Sequence, residues 1–265
     1  MSESGNIKVP TMAEMAAEGK TPEILFWVGC AGSFDERAKK ITKEFIKILH
    51  HADVSYAVLG TEESCTGDPA KRAGNEFLFQ MQAMNNINVL NGYGVKKIVT
   101  ACPHCFNTIK NEYPGLGGNY EVMHHSQLLE SLAAEGKLKI QGGVFKGKRI
   151  TFHDPCYLGR ANGVYEAPRT LIEKLDAELA EMKRSRAGGF CCGAGGAQMF
   201  KEPEKGKKDV NIERTEEALG TQAGVIATGC PFCMTMMTDG VKNFNREDNV
   251  RVLDIAELIA RANDL

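Results

Sequence analysis

Nine cysteines are the residues of this chain whose type and spacing could do chemistry. They stand at Cys30, Cys65, Cys102, Cys105, Cys156, Cys191, Cys192, Cys230 and Cys233. Thiolates bind soft metals, carry redox equivalents or pair as disulfides. An odd number argues against a disulfide framework, and Met1 to Gly5 shows neither the basic nor the apolar stretch of a secretory leader. The positions also repeat. Cys30 to Cys156 is 126 residues, Cys65 to Cys192 is 127, and Cys102 to Cys230 and Cys105 to Cys233 are each 128. A nearly constant offset points to an internal duplication. The flanks agree: Lys97-Ile-Val-Thr-Ala-Cys102-Pro-His-Cys105 parallels Val225-Ile-Ala-Thr-Gly-Cys230-Pro-Phe-Cys233. The second copy carries the pair Cys191-Cys192, where the first carries Ser64-Cys65.

Three chemistries fit such cysteines. A dithiol redox site would use Cys102-Pro-His-Cys105 alone and leaves seven cysteines unexplained. Structural zinc needs four thiolates, which the first half supplies, while the second offers five. Iron–sulfur clusters take thiolates from separated loops, and their sulfides accept backbone N–H donors. The loop Cys191-Cys192-Gly-Ala-Gly-Gly196 suits the last reading, because its glycines allow close backbone approach to an anion. As a phosphate loop it lacks both the Gly-x-Gly-x-x-Gly register and a following Gly-Lys-Ser/Thr.

Cys156, then Cys191-Cys192-Gly193, then Cys230-Pro-Phe-Cys233, with His153-Asp-Pro-Cys156-Tyr-Leu-Gly-Arg160, resembles the CCG cysteine-rich domain family. Tandem copies of that domain form one of the subunits of heterodisulfide reductase and iron–sulfur subunits of glycolate, glycerol-3-phosphate and lactate oxidation. Glu63-Ser-Cys65-Thr-Gly-Asp-Pro-Ala70 resembles the soluble part of bacterial membrane-linked iron–sulfur oxidoreductases. The resemblance spans residues 23 to 262. It implies electron transfer through two clusters of the 4Fe–4S type. Cys30, Cys65, Cys102 and Cys105 would hold the first. Cys156, Cys191, Cys192, Cys230 and Cys233 would hold the second, cubane or non-cubane. Ser64 departs from the pattern, so the first site is expected to hold a four-thiolate cubane, to use the Ser64 oxygen, or to take zinc.

These cysteines need elements to place them. Strand-like runs lie at Ile24 to Val28, Val54 to Leu59, Ile98 to Thr100, Arg149 to Phe152, Val225 to Ala227 and Val250 to Leu253. Helical spacing fills the gaps, as in Ala38, Ile41, Phe45, Ile48 and Leu49. Asp68-Pro69 reads as the start of one helix running through Glu76 to Leu90, whose stretch Phe77 to Met84 reads as central. Alternating strands and helices predict an α/β fold of two duplicated lobes with mostly parallel sheets. Cys30, Cys102, Cys156 and Cys230 then fall at strand C-terminal ends, where such folds form sites. The expected division is a tail or docking arm over 1–21, a first lobe over 22–140 and a second over 149–265. The lobes are expected to be related by an approximate twofold, with the cysteine sites near their interface.

Other residues read as structural. His104 has Phe232 as its counterpart, so the unit does not require it. His153 reads as a structural histidine or a hydrogen-bonding neighbour of the second site. His124-His125 read as a strand end and His50-His51 as a helix end, and Met234, Met236 and Met237 as core. Lys71-Arg72 and Lys205 to Lys208 read as solvated faces.

Lys plus Arg is 32 and Asp plus Glu is 34, a balance that argues against a nucleic-acid coat. The longest apolar run is far short of the roughly 20 residues that span a bilayer. No flavin or nicotinamide fingerprint is visible, so the electrons must come from elsewhere. The expected donor is a flavoprotein dehydrogenase or electron-transfer flavoprotein. The expected acceptor is a membrane-bound cluster or haem subunit that reduces quinone, with this chain cytoplasmic and peripheral on the inner face of the membrane. Cleavage of a disulfide at the second cluster and a zinc-stabilised interaction module are the alternatives.

Overall fold

The computed structural model describes residues 7–202 and 206–265. Its strands are β1 (Ile24–Trp27), β2 (Tyr56–Ala57), β3 (Lys97–Thr100), β4 (Glu121–His124), β5 (Arg149–Phe152), β6 (Glu178–Leu179), β7 (Val225–Thr228) and β8 (Arg251–Asp254). The helices are α1 (Met12–Ala17), α2 (Gly29–Phe34), α3 (Glu36–His51), α4 (Asp68–Arg72), α5 (Glu76–Gly92), α6 (Pro103–Asn107), α7 (His125–Ala134), α8 (Glu166–Glu173), α9 (Val210–Gly220), α10 (Pro231–Asn243) and α11 (Ile255–Ala262).

The strands form two four-stranded parallel sheets, ordered β2-β1-β3-β4 and β6-β5-β7-β8. The expected α/β fold of two duplicated lobes is therefore present. A parallel sheet needs cover on both faces, which is why β1 reads Ile-Leu-Phe-Trp without a polar break and is buried throughout. Ile24 and Phe26 face one core, and Leu25 and Trp27 face the other.

The first of these cores belongs to both lobes. Phe26, Phe45 and Leu129 share it with Ile150, Leu171, Leu258 and Ile259. Helix α3 packs on α11, and α7 packs on α8. In the duplicated unit α3 and α8 are equivalent, as are α7 and α11, so the two contacts are copies related by an approximate twofold. Helix α3 starts at Asp35, whose carboxylate accepts from Ala38 N at 2.7 Å. Helix α11 starts on a capping box of Asp254 and Glu257. Glu257 also holds Arg37 of the other lobe at 2.7 Å.

Several expectations are corrected. The helix read from Asp68 to Leu90 is two helices. Gly74 has φ +85°, Asn75 caps α5 through Leu78 N, and Asp68 is the first residue of α4 while Gly67 stands at the cap position. The stretch Phe77 to Met84 is not central. Phe77 is 76% exposed, and Leu78, Met81 and Met84 are exposed too. Helix α5 buries only Phe79, Ala83, Asn86, Ile87 and Leu90, one face against the sheet. Strand β6 was not read from the sequence, and of β4 only its end at His124-His125 was. Arg72 is no solvated face: it pairs with Asp68 at 3.1 Å and with Glu112.

In the tail, Thr11 bridges Val58 and Met12 is buried, so this part packs on the first lobe, while residues 1–6 lie outside the described residues. Lys205 also lies outside them, and Lys208 pairs with Glu213 and Glu216. Met234 and Met237 are core. No helix among the described residues is long and apolar enough to cross a membrane.

Candidate metal centre

All nine cysteines are free thiols, and they gather at the strand C-terminal ends in two groups. Cys30 follows β1 in α2. Cys102 caps α6, and Cys230 caps α10. Pro103 and Pro231 occupy the first helical position, where a missing N–H costs nothing. Helices α6 and α10 thus each begin at a cysteine sulfur.

The first group is Cys30, Cys65, Cys102 and Cys105. The neighbouring Cys30 thiol holds Cys65 down to about 6, and Cys105 holds Cys102 down to about 7. Cys105 is pushed up by Cys102, by burial, and by Cys30 and Cys65, so all four sulfurs share one site. The second group is Cys156, Cys191, Cys192, Cys230 and Cys233. Cys156 lowers Cys191, and Cys156 is itself pushed up by Cys191, burial, Cys192 and Cys230. Cys233 is pushed up by Cys192 and Cys230, which completes a five-sulfur group.

Two glycine turns fix the correspondence between the lobes. Gly67 N donates to Cys65 Sγ at 3.5 Å, and Gly193 N donates to Cys191 Sγ at 3.3 Å. Gly67 has φ +90° and Gly193 has φ +94°. A side chain there would be strained, and at Gly67 its Cβ would also sit 2.8 Å from the Phe79 ring. Cys65 therefore corresponds to Cys191, not to Cys192. The residue in the place of Cys192 is Thr66, whose hydroxyl faces Cys105 Sγ at 4.0 Å. Ser64 is tied elsewhere: its Oγ donates to Asn86 Oδ1 at 2.8 Å, so the expected use of its oxygen as a ligand finds no support. Asn86 is buried and also donates to Cys65 O and Tyr113 Oη.

Buried polar residues that the sequence did not single out hold these loops. Glu63 accepts from Val28 N at 3.0 Å and Gly29 N at 2.6 Å, tying the Cys30 loop to the Cys65 loop. Burial pushes its carboxyl up to about 7, against the two N–H groups that favour the charge. Asp154, beside Cys156, takes both terminal nitrogens of Arg169 at 2.8 and 2.9 Å and Arg186 N at 2.7 Å. Arg169 also reaches Glu181.

Histidines join the lobes. His104 Nδ1 lies 2.9 Å from Asp68 Oδ2, and its ring packs on Tyr157 and Phe232 of the second lobe. Burial works against its charge, but Asp68, Cys102 and Cys230 lift it to about 9. The ring thus feels one cysteine from each group. His124 and His125, read from the sequence as a strand end, form a fully buried chain. His124 meets Gly229 O at 3.0 Å, and His125 meets His124 at 3.1 Å and Asp254 at 2.8 Å. His153 is buried beside the second group. A ring nitrogen of His153 and Sγ of Cys192 and Cys233 lie within 4.8 Å of one another. The sequence placed His153 near the second site, but it did not show that folding sets His104, His124 and His125 at the joint between the lobes.

Comparisons with known proteins agree with this geometry. The family model described as a cysteine-rich domain, CCG, matches residues 24–110 and again 150–238. The chain is 48% identical, over 98% of its length, to a probable iron-sulfur-binding oxidoreductase, FadF, of Bacillus subtilis, of which it spans 37%. It is 45% identical, over 92% of its length, to an EtfAB:quinone oxidoreductase of Syntrophomonas wolfei, of which it spans 35%. It is 33% identical, over 91% of its length, to one of the subunits of a dihydromethanophenazine:CoB–CoM heterodisulfide reductase of Methanosarcina barkeri, of which it spans 59%. The chain thus covers about a third to three-fifths of these relatives. With one match on each lobe, each carrying one of the two cysteine groups, the chain belongs to the CCG cysteine-rich domain family.

Proposed function

We propose that this chain is an electron-relaying module of an iron–sulfur oxidoreductase with two cluster sites. Cys30, Cys65, Cys102 and Cys105 hold the first, and Cys156, Cys191, Cys192, Cys230 and Cys233 hold the second. The observation that carries the reading is that the two cysteine groups meet where His104, enclosed by Cys102 and Cys105, packs on Phe232, enclosed by Cys230 and Cys233. The donor set fits the group. Thiolate-only sites select zinc or iron–sulfur, and five thiolates exceed what tetrahedral zinc uses. Backbone N–H groups at Gly67 and Gly193 already point at sulfur, and the side-chain N–H groups of Trp27 and His153 lie buried without a partner. Bound there, a cluster stores and passes single electrons. The chain's part is to hold the thiolates in place and to exclude water with the core around Trp27, Phe106 and Leu158.

The names of the relatives support an oxidoreductase complex. On that basis the donor is a flavoprotein of the electron-transfer type and the acceptor a membrane partner that reduces quinone. Such a partner would hold the chain, as lobes 22–140 and 149–265, at the membrane surface. Residues 13–21, largely exposed beyond the docked Met12, are available for docking. Anaerobic purification followed by iron, sulfide and zinc analysis and EPR tests the reading. About eight irons per chain is the result expected for two four-iron clusters. Zinc in the first site with iron in the second would limit the proposal to one cluster, and absence of iron and sulfide would overturn it.

A further inference from the structure

His153 has one ring nitrogen whose role is fixed and one whose role is open. Arg214 Nε donates to Nδ1 at 3.0 Å, and both side chains are buried. A guanidinium only donates, so Nδ1 must accept. The ring proton of the neutral imidazole then sits on Nε2. Nε2 has no hydrogen-bond partner among the described residues. A buried N–H left unpaired is costly, so it marks a place where a partner belongs. The nearby candidates are sulfur: the Sγ atoms of Cys192 and Cys233 share a 4.8 Å neighbourhood with the ring. The equivalent position in the first lobe, also three residues before the first cysteine, is Trp27. Its Nε1–H is likewise buried without a partner. Two lobes that share no residue type at this position both supply a buried N–H there.

We propose that His153 is a hydrogen-bond donor from Nε2 to metal-bound sulfur at the second site, locked in that tautomer by Arg214. This rests on the reading of the second site as a cluster site. The same lock excludes His153 as a metal ligand. Ligation through Nε2 would move the proton to Nδ1, where it would face Arg214 Nε–H. A donor to sulfur stabilises the more negative, reduced state over the oxidised one and so raises the reduction potential.

The test is an EPR-monitored redox titration of the cluster-loaded chain and its variants, joined to pulsed EPR on protein labelled with nitrogen-15 histidine. His153→Phe keeps a planar ring and removes the N–H. It should lower the second-site potential by about 59 mV, a tenfold change in the one-electron ratio at fixed potential. His153→Gln, whose amide N–H can reach toward the same place, should restore most of it. The unmodified protein should show a weak histidine nitrogen coupling that is lost in His153→Phe. The strong coupling of a ligating nitrogen, or an unchanged potential in His153→Phe with the second cluster present, would overturn the assignment. If His153→Phe does not fold, the coupling in the unmodified protein decides alone: a weak coupling supports the donor role, and a strong or absent one overturns it. Absence of any cluster signal would instead count against the iron–sulfur reading itself.

Discussion

The ring of His104 meets the ring of Phe232 edge-on, with centroids 5.2 Å apart and planes at 82°. These two residues hold the same place in the two Cys-Pro-x-Cys segments. The duplicated unit therefore touches its own copy at the residue enclosed between two cysteines. The histidine differs from its mate in having a polar anchor, Asp68, which Arg72 also holds.

His104→Phe should keep the ring contact and lose the bond to Asp68. Hydrogen bonds to charged groups contribute about 1.5–3 kcal/mol, so a destabilisation of that size is expected. Urea unfolding at pH 7 measures it. A change within error would mean that Arg72 alone satisfies Asp68.

Thr66→Cys should give the first site a fifth thiol and change its EPR signature towards that of the second. Ser64→Cys should not, because position 64 is directed to Asn86. Comparing the two variants checks the correspondence of Thr66 with Cys192. The opposite outcome would restore Ser64 as the distinguishing residue.

Arg169→Met should cost about 3–5 kcal/mol, since it leaves the buried Asp154 carboxylate without its main partner. Arg149→Ala, which removes an exposed pair with Glu178, should cost less than about 1 kcal/mol. Chemical denaturation of both variants separates a buried from an exposed ion pair on the same lobe.

Phe79→Ala and Phe77→Ala contrast two positions on α5. Phe79 is 2% exposed and should cost about 3–5 kcal/mol, whereas Phe77 should stay within about 0.5 kcal/mol. Thermal unfolding that gave both variants equal losses would contradict the face assigned to this helix.

The cysteine pairing and the strand-end placement were legible because a constant offset survives any uncertainty about individual elements. The α/β architecture followed from alternating periodicity. What escaped has physical causes. Strand β6 is two residues long and sits at a sheet edge, too short for a pattern. Of strand β4 only the end at His124-His125 was read, because the strand is four residues long and follows the glycine-rich stretch Gly115-Leu-Gly-Gly-Asn-Tyr120. On α5 the apolar residues surround the helix, and only the sheet decides which face is covered. The partner of Cys65 was off by one, because a shift of one residue hardly alters an offset. The turn at Gly67, matching that at Gly193, resolves it. The roles of Glu63, Asn86 and Arg214 depend on contacts 22 to 61 residues away in sequence, which no local pattern carries.

The core shared by both lobes has a consequence for biogenesis. Helix α3 is covered by α11, and Arg37 waits for Glu257, 220 residues further on. During synthesis the first half must emerge with Phe26, Phe45 and Leu129 only partly shielded. Its native cover arrives with the last helix. Contacts so distant along the chain slow folding and lengthen the exposure of apolar surface. Cysteines left bare over that interval are open to stray oxidation or to the wrong metal. Folding of these two lobes should therefore depend on chaperones and on cluster delivery timed after both lobes have been made.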